Sequence, residues 1–408
     1  MVVVTKQCII YNNVRIMLTL WILILVVPLV VANLSLVSLE KYSNAICMDG
    51  SQAAYYWKKA TSTNKSILSD NKPSPSNVWI IHLQGGGWCY DTKSCNQRCG
   101  TLTKSKPLCS STTFPTSKAI GGIFYANDPI LRNANKVFIP YCTSDGHMGN
   151  TKSSDGWEFR GQVVIQSVLS DLVETQGLGS GKNGIKDIIL FGGASAGGRG
   201  AMVHLDYVSE MLGSSVAKQV VVRGFLDSPL WIDLPSINPA FPGFNETCSG
   251  VFSQANVTHT DARCLAKYPN SQWKCIMGQY RMPFIQTPYF ISASQDDLFQ
   301  IKEDIGAVPT TNKEIKYALN FANATKKLML ELHGRNTSTH AVFSWSCFNH
   351  AVSMSHWGFN VWKSGEDPDV ASTMNDALVQ FLGWGRNDNK VTLEWVDRCI
   401  GWRCGKGC

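Results

Sequence analysis

The stretch KDIILFGGASAGGRG (186–200) runs straight into AMVHLDYVSEML (201–212). The first piece is a short apolar, β-branched run closing on glycines, the pattern of a buried strand. The second repeats its apolar residues at helical spacing. Between them, Gly193-Ala194-Ser195-Ala196-Gly197 matches G-x-S-x-G. In a chain with 34 glycines the bare pattern also arises by chance, as a Gly-rich turn with an incidental serine. The strand–turn–helix setting is what makes it read as a nucleophile elbow. Such a turn holds its serine in a strained backbone conformation. Side chains two residues to either side would collide with the neighbouring strand and helix. The helix that follows adds a positive field where an oxyanion develops.

Further strands are predicted at Val78–Leu83, Lys136–Tyr141, Asp187–Phe191, Gln219–Leu226 and Pro288–Ser292. Helical periodicity fills Gln162–Val173 and Ala201–Leu212. Strands alternating with helices predict an α/β fold, a mostly parallel sheet with helices on both faces. No internal repeat and no long linker interrupts residues 40–408, so they read as one catalytic domain with disulfide-stapled insertions and a Cys-rich C-terminal tail. Hydrophobic residues make up 44% of the 408 and charged residues 16%, which excludes extensive disorder and supports a sizeable core. A net charge of +7 with scattered basic residues suggests no nucleic-acid partner.

A serine alcohol holds its proton at neutral pH, so it needs a histidine as general base and an acid that fixes the tautomer of that histidine. In this architecture the chain order is serine, acid, histidine. Asp296 and Asp297 follow the strand PYFISAS, and Asp227 ends the strand directly after the nucleophile. The base then comes from His333, His340, His350 or His356. His350 stands out because it lies three residues after Cys347, where a disulfide would pin its loop. Gly85-Gly86-Gly87 beyond the first predicted strand can present backbone N–H groups to an anion. With the N–H of Ala196 it would form an oxyanion hole.

The amino terminus carries Lys6 and Arg15 before the apolar run Met17–Val31. That reads as a secretory signal, residues 1–32, with cleavage expected after Ala32. An uncleaved anchor over 16–32 is the other reading, and only then would the protein meet a membrane. N-x-Ser/Thr sequons begin at Asn33, Asn64, Asn245, Asn256, Asn323 and Asn336. Of 14 cysteines only Cys8 precedes the apolar run. The other thirteen suit an oxidising, extracellular compartment, and their odd number leaves one thiol free or paired between chains. Cys89, Cys95, Cys99 and Cys109 lack the paired C-x2-C spacing of common zinc modules and read as disulfides.

Six signatures then occur in order: LQGGGWCY (83–90), PYCTSDGHMGN (140–150), FRG (159–161), GASAGGRG (193–200), DLFQI (297–301) and SCFNH (346–350). Together they resemble the pectinacetylesterase family, which spans plant-type pectin acetylesterases and Notum-type carboxylesterases. The resemblance runs from about Cys47 to about Val396. It implies an α/β-hydrolase fold and a serine esterase needing no metal and no organic cofactor. It implies Ser195 as nucleophile, Asp297 rather than Asp296 as acid, and His350 as base. Gly86, Gly87 and Ala196 match the oxyanion positions, and Cys47–Cys142 and Cys89–Cys95 look like family disulfides.

Two residues depart from the family pattern: Gln84, where Glu is usual, and Arg199, where a small residue or Thr is common. Neither removes a catalytic atom, but both bear on the substrate pocket. The expected function is secreted deacylation, read as deacetylation, of a cell-wall or extracellular polysaccharide such as pectin. Removal of a fatty acyl group from a secreted protein is the alternative. A catalytically silent binding protein is the reading from another class. Trp231, Phe241, Phe244 and Phe284 are candidate pocket walls, and 231–286 is long enough for a lid.

Overall fold

The structure is a computed structural model and describes residues 31–61, 72–100, 106–181, 184–336, 338–365, 371–384, 393–399 and 401–405. Its frame is a ten-stranded sheet. In chain order the strands are β1 (Ala32–Ser38), β2 (Ala54–Lys58), β3 (Val78–Leu83), β4 (Ser117–Ile120) and β5 (Asn135–Ile139). They continue with β6 (Asp187–Ala194), β7 (Val220–Asp227), β8 (Tyr289–Ser294), β9 (His340–Trp345) and β10 (Glu394–Val396). The spatial order is β10-β9-β8-β7-β6-β3-β5-β2-β1-β4. From β5 to β10 every pairing is parallel, while β2, β1 and β4 add antiparallel edges. The helices of two turns or more are α1 (Thr92–Cys99), α2 (Gly161–Asp171), α3 (Ala196–His204), α4 (Phe244–Gln254), α5 (Leu298–Ile305), α6 (Asn312–Arg335) and α7 (Met374–Phe381).

Alternation along the strands divides the core in two. Trp79, Ile81 and Leu83 of β3 join Ile189 and Phe191 of β6 on one face, packed with α2, α3, α4 and α6. Val78, Ile80, Leu190 and Phe290 point to the other face, covered by α7 and the shorter helices Pro129–Asn133 and His356–Asn360. All six residues of β3 are buried, as a strand covered on both faces requires. Caps set the helix starts. Asp297 accepts the Gln300 N–H at the start of α5, and Thr311 with Glu314 forms a capping box before α6.

The chain runs from β3 to β5 on one side, then crosses back to β6 on the other. Strand order therefore reverses at β3 and β6, and a crevice beyond their carboxyl ends is where such sheets carry ligands. The predicted α/β sheet is what forms, with shifted boundaries. The predicted helix 201–212 starts at Ala196 and ends at His204, because Gly197, Gly198 and Gly200 hide its periodicity. The sheet also takes in β1, upstream of residue 40.

Among the described residues, disulfides join Cys47–Cys142, Cys89–Cys95, Cys99–Cys109, Cys264–Cys275 and Cys399–Cys404. Cys347 is disulfide-bonded as well. Among the described residues Cys248 is free, and it is buried. Cys47–Cys142 spans 95 residues. A cross-link of roughly that span removes enough unfolded-chain entropy to stabilise by about 4–5 kcal/mol. The predicted signal segment to residue 30, Asn64 and Cys408 lie outside the described residues.

Candidate functional site

β6 ends at Ala194, and Ser195 turns the chain into α3 with φ 58° and ψ −122°. A non-glycine residue held there is strained. Flanking contacts enforce it: the Ser195 N–H donates to the Asp227 carbonyl of the adjacent strand, and the Ser195 carbonyl accepts the Arg199 N–H. The two elbow glycines have no room for a side chain. A Cβ on Gly193 would stand 2.4 Å from the Gly197 carbonyl oxygen, and one on Gly197 would stand 2.1 Å from that of Leu83.

The Ser195 Oγ lies 2.7 Å from His350 Nε2. On the far side of the ring, His350 Nδ1 lies 2.7 Å from Asp297 Oδ2. The other Asp297 oxygen accepts the Gln300 N–H at 3.0 Å, so the α5 amino terminus orients the carboxylate. Ser195 and Asp297 are buried, and the His350 side chain keeps 14% exposure. This arrangement brings a serine hydroxyl, an imidazole and a carboxylate into one line, the geometry that a nucleophile, a base and an orienting acid require.

The other sequence candidates are held elsewhere. Asp296 turns from its neighbour and accepts the Ser346 hydroxyl at 2.6 Å, and burial raises its pKa. His333 Nδ1 contacts the His340 carbonyl, His340 stacks on Tyr289, and His356 pairs with Asn360. Asp227 lies beneath the site. It accepts the Ser228 and Ser292 hydroxyls at 3.1 and 3.0 Å and the Ser353 N–H at 2.8 Å. The Ser228 hydroxyl accepts the Ala351 N–H. Asp227 and Ser228 thus tie the segment just after His350 to the end of β7. The Leu298 N–H binds the Asn349 carbonyl, fixing the residue just before it. No local sequence motif marks these ties; those from Asp227 and Ser228 join residues more than 120 positions apart.

The glycine run abuts the elbow: a Cβ on Gly85 would stand 2.8 Å from that of Ser195. Gly87 takes φ +66°. Arg98 on α1 donates to the Gly86 carbonyl and, through Nε, to the Ser144 hydroxyl at 2.8 Å. In a trans peptide C=O and N–H point in opposite directions, so Arg98 also aims the Gly87 N–H away from itself. The disulfides Cys89–Cys95 and Cys99–Cys109 pin the middle and the carboxyl end of α1. Ala196 opens α3, where the first N–H groups have no intrahelical acceptor. Gln84 backs the run, accepting the Tyr141 N–H on its amide oxygen at 3.2 Å. His147 Nε2 contacts the Gln84 backbone carbonyl at 2.8 Å. Burial holds the His147 pKa down at about 4, so its ring is neutral and donates.

One residue has no counterpart in this polar network. Arg199, one helical turn beyond Ser195, is fully buried, and its guanidinium makes no hydrogen bond. It lies against the Trp231 ring and 5.0 Å from the centre of Trp88. Of the predicted walls, Trp231, Phe244 and Phe241 form one aromatic group with Trp88, and Phe299 links it to His350. Phe284 is not in this group; it faces Lys267.

The pectinacetylesterase family model matches residues 29–408. The chain belongs to the pectinacetylesterase family. Over 315 residues it is 30% identical to the fruit fly (Drosophila melanogaster) palmitoleoyl-protein carboxylesterase Notum, covering 75% of this chain and 43% of that protein. With pectin acetylesterase 5 of Arabidopsis thaliana it shares 29% over 392 residues, 90% of this chain and 83% of the plant protein. The human Notum carboxylesterase is 28% identical over 327 residues, 77% of this chain and 61% of that one. The chain thus spans less than two thirds of the length of these Notum relatives. The structure of the Wnt deacylase Notum from Drosophila superposes with TM-score 0.76 at 26% identity, over 92% of this chain and 99% of that one. The fold of this family member is thereby that of an α/β hydrolase.

Proposed function

We propose that this protein is a secreted serine carboxylic-ester hydrolase that removes acetyl groups from an extracellular polysaccharide such as pectin. The observation that carries the reading is the line Ser195 Oγ, His350 Nε2, His350 Nδ1, Asp297 Oδ2, with both links at 2.7 Å. Ser195 Oγ attacks the ester carbonyl as His350 Nε2 takes its proton. Asp297 holds the Nδ1–H tautomer and stabilises the imidazolium. The oxyanion receives the N–H groups of Ala196, Gly86 and Gly87. Collapse of the tetrahedral intermediate expels the alcohol, which takes the proton from His350. Water then attacks the acyl carbon as it gives a proton to His350, and the second tetrahedral intermediate collapses to the free acid as His350 returns that proton to the departing Ser195 Oγ. Every proton stays on Ser195, His350, the alcohol or water, and no step calls for a metal or organic cofactor.

Similarity to a plant pectin acetylesterase over 90% of this chain supports the polysaccharide substrate. The fold match to Notum supports the alternative, removal of a fatty acyl group from a secreted protein. Residues 1–32 are proposed as a secretory signal. The disulfides and the exposed sequon asparagines Asn33, Asn245, Asn256, Asn323 and Asn336 support an oxidising, extracellular location. No described helix is long and apolar enough to cross a membrane.

The test is hydrolysis of nitrophenyl acetate and release of acetate from acetylated pectin by the secreted protein. Ser195→Ala is expected to lower kcat by roughly 10⁴-fold or more. Equal turnover by wild type and variant would sink the assignment. Failure of both to react with a fluorophosphonate probe would instead favour a silent binding protein. Serine-dependent activity confined to long-chain esters would favour the protein deacylase.

A further inference from the structure

We infer that Arg199 closes the acyl side of the site and restricts the enzyme to short acyl groups. The inference rests on the serine-esterase reading and adds what limits its substrate.

The carbon attacked by Ser195 Oγ carries three other groups in the tetrahedral intermediate. Its oxyanion faces the N–H of Ala196 and the glycine run. Its leaving oxygen faces His350 Nε2, because that nitrogen must protonate it. The acyl substituent takes the remaining direction, away from His350 and along the flank of α3. Arg199 occupies that flank. It stands on the first turn of α3, four residues after Ser195, and helical side chains lean toward the amino terminus, back toward the elbow. Trp88, which follows Gly87 directly, and Trp231, beyond β7, close over it. The indole rings meet edge-on at 3.9 Å between centres. Phe244 packs against Trp231 with centres 4.8 Å apart. Arg199, Trp231 and Phe244 are all at most 3% exposed, so the flank is filled.

The chemistry of the filling matters as much as its bulk. A pocket for a fatty chain is apolar and deep. Here the flank ends in a guanidinium whose nitrogens have no hydrogen-bond acceptor, held by the faces of two indoles. On this inference only the first carbon beyond the carbonyl, an acetyl methyl, is accommodated between the serine and this plug. Each further methylene would have to displace packed aromatics or press against a charge left without an acceptor, which is unfavourable. Size and charge therefore select against long chains together. An apolar residue at position 199 would remove the charge and free the space under the indoles.

The experiment is a series of nitrophenyl esters from acetate to palmitate, hydrolysed by the secreted wild type, Arg199→Leu and Arg199→Thr. The readout is the ratio of kcat/KM for octanoate to that for acetate, which a general loss of stability does not move. Wild type is expected to be fastest on acetate. An accommodated methylene is worth roughly tenfold or more in kcat/KM. Either variant that melts cooperatively is therefore expected to raise the ratio at least tenfold. Wild type faster on octanoate than on acetate would overturn the inference without any variant. So would a folded variant whose ratio equals that of wild type. Absence of Ser195-dependent hydrolysis on every ester would remove the esterase reading itself, a result distinct from an unchanged ratio.

Discussion

The turn after β6 and the loop after β9 deliver two members of one hydrogen-bonded line, and they are built in opposite ways. The elbow is local. Gly193 and Gly197 lie two residues from Ser195, and each is placed against backbone where a Cβ would clash. The loop that carries His350 is held from a distance. Its backbone is bound by Asp227, Ser228 and the start of α5, and Cys347 is anchored by a disulfide. A short motif suffices where the constraint is steric and sequence-adjacent. A dispersed network is needed where a side chain must reach 155 residues back to its partner.

The sharpest way to break the local half is Gly197→Ala. Its Cβ would sit 2.1 Å from the Leu83 carbonyl oxygen, which is backbone and cannot move aside. The strand ends must part, and the expected outcome is loss of activity by more than about 10³-fold or loss of the folded protein, read by turnover and by cooperative melting. Native turnover in this variant would refute the steric account. For the distant half, Asp227→Ala removes the acceptor of the Ser353 N–H and two hydroxyls. Breaking a buried network of this kind costs about 3 kcal/mol in stability. Because the His350 loop loosens, kcat is expected to fall about 10–100-fold with KM little changed. A variant that loses stability yet keeps kcat would show that the loop needs no such tether.

The two regions also titrate in opposite senses. Beneath the elbow, His82 on β3 pairs in register with Gly192 and is buried without a hydrogen-bond partner. Burial first, and then the charge of His147, lower its pKa to about 3. Its folded-state pKa lies below the unfolded value near 6.5, so the unfolded chain binds the proton first as pH falls. Stability from neutral His82 is full above about pH 6.5 and is lost progressively as pH drops toward 3. Under the His350 loop, burial raises the pKa of Asp227 and Asp296 instead. Those carboxyls favour the folded state when protonated, so their contribution falls as pH rises above the ordinary carboxylate range. The smallest effect expected is therefore that of His82→Leu. Between pH 7 and 5 this variant should lose up to about 2 kcal/mol less stability than wild type, measured by denaturant unfolding at the two pH values. Parallel losses would mean that His82 is solvated or charged in the native protein.

Much of the frame was legible in the sequence. Val78–Leu83 is the strand the pattern predicts, and the other predicted strands differ only at their ends. Strand β9 was not predicted. Its HAVFSW run follows a 24-residue helix with only a short break, and its register with β8 is a long-range matter. Arg98 gave no signal either. It is one basic residue on a polar helix, and only the approach of α1 to the glycine run makes its donors meet the Gly86 carbonyl. Trp88 and Phe299 lay beside recognised motifs but were not read as pocket walls, because an aromatic residue in isolation is most often core.

By itself the sequence determined the strand–turn–helix around Ser195, the α/β alternation, the chain order of Ser195, the Asp296-Asp297 pair and His350, and a cysteine content suited to disulfides. These depend on residues close in the chain or on composition, where sterics and periodicity act directly. Tertiary structure alone decided between neighbours. Asp296 and Asp297 are adjacent and chemically identical, yet one accepts the Ser346 hydroxyl and the other faces His350. That choice follows from how the end of β8 meets the loop after β9, with Ser294 opposite Trp345. The burial of Arg199 between two tryptophans was decided in the same way. A lone arginine reads as surface in a sequence, and only three elements converging on one helical turn enclose it.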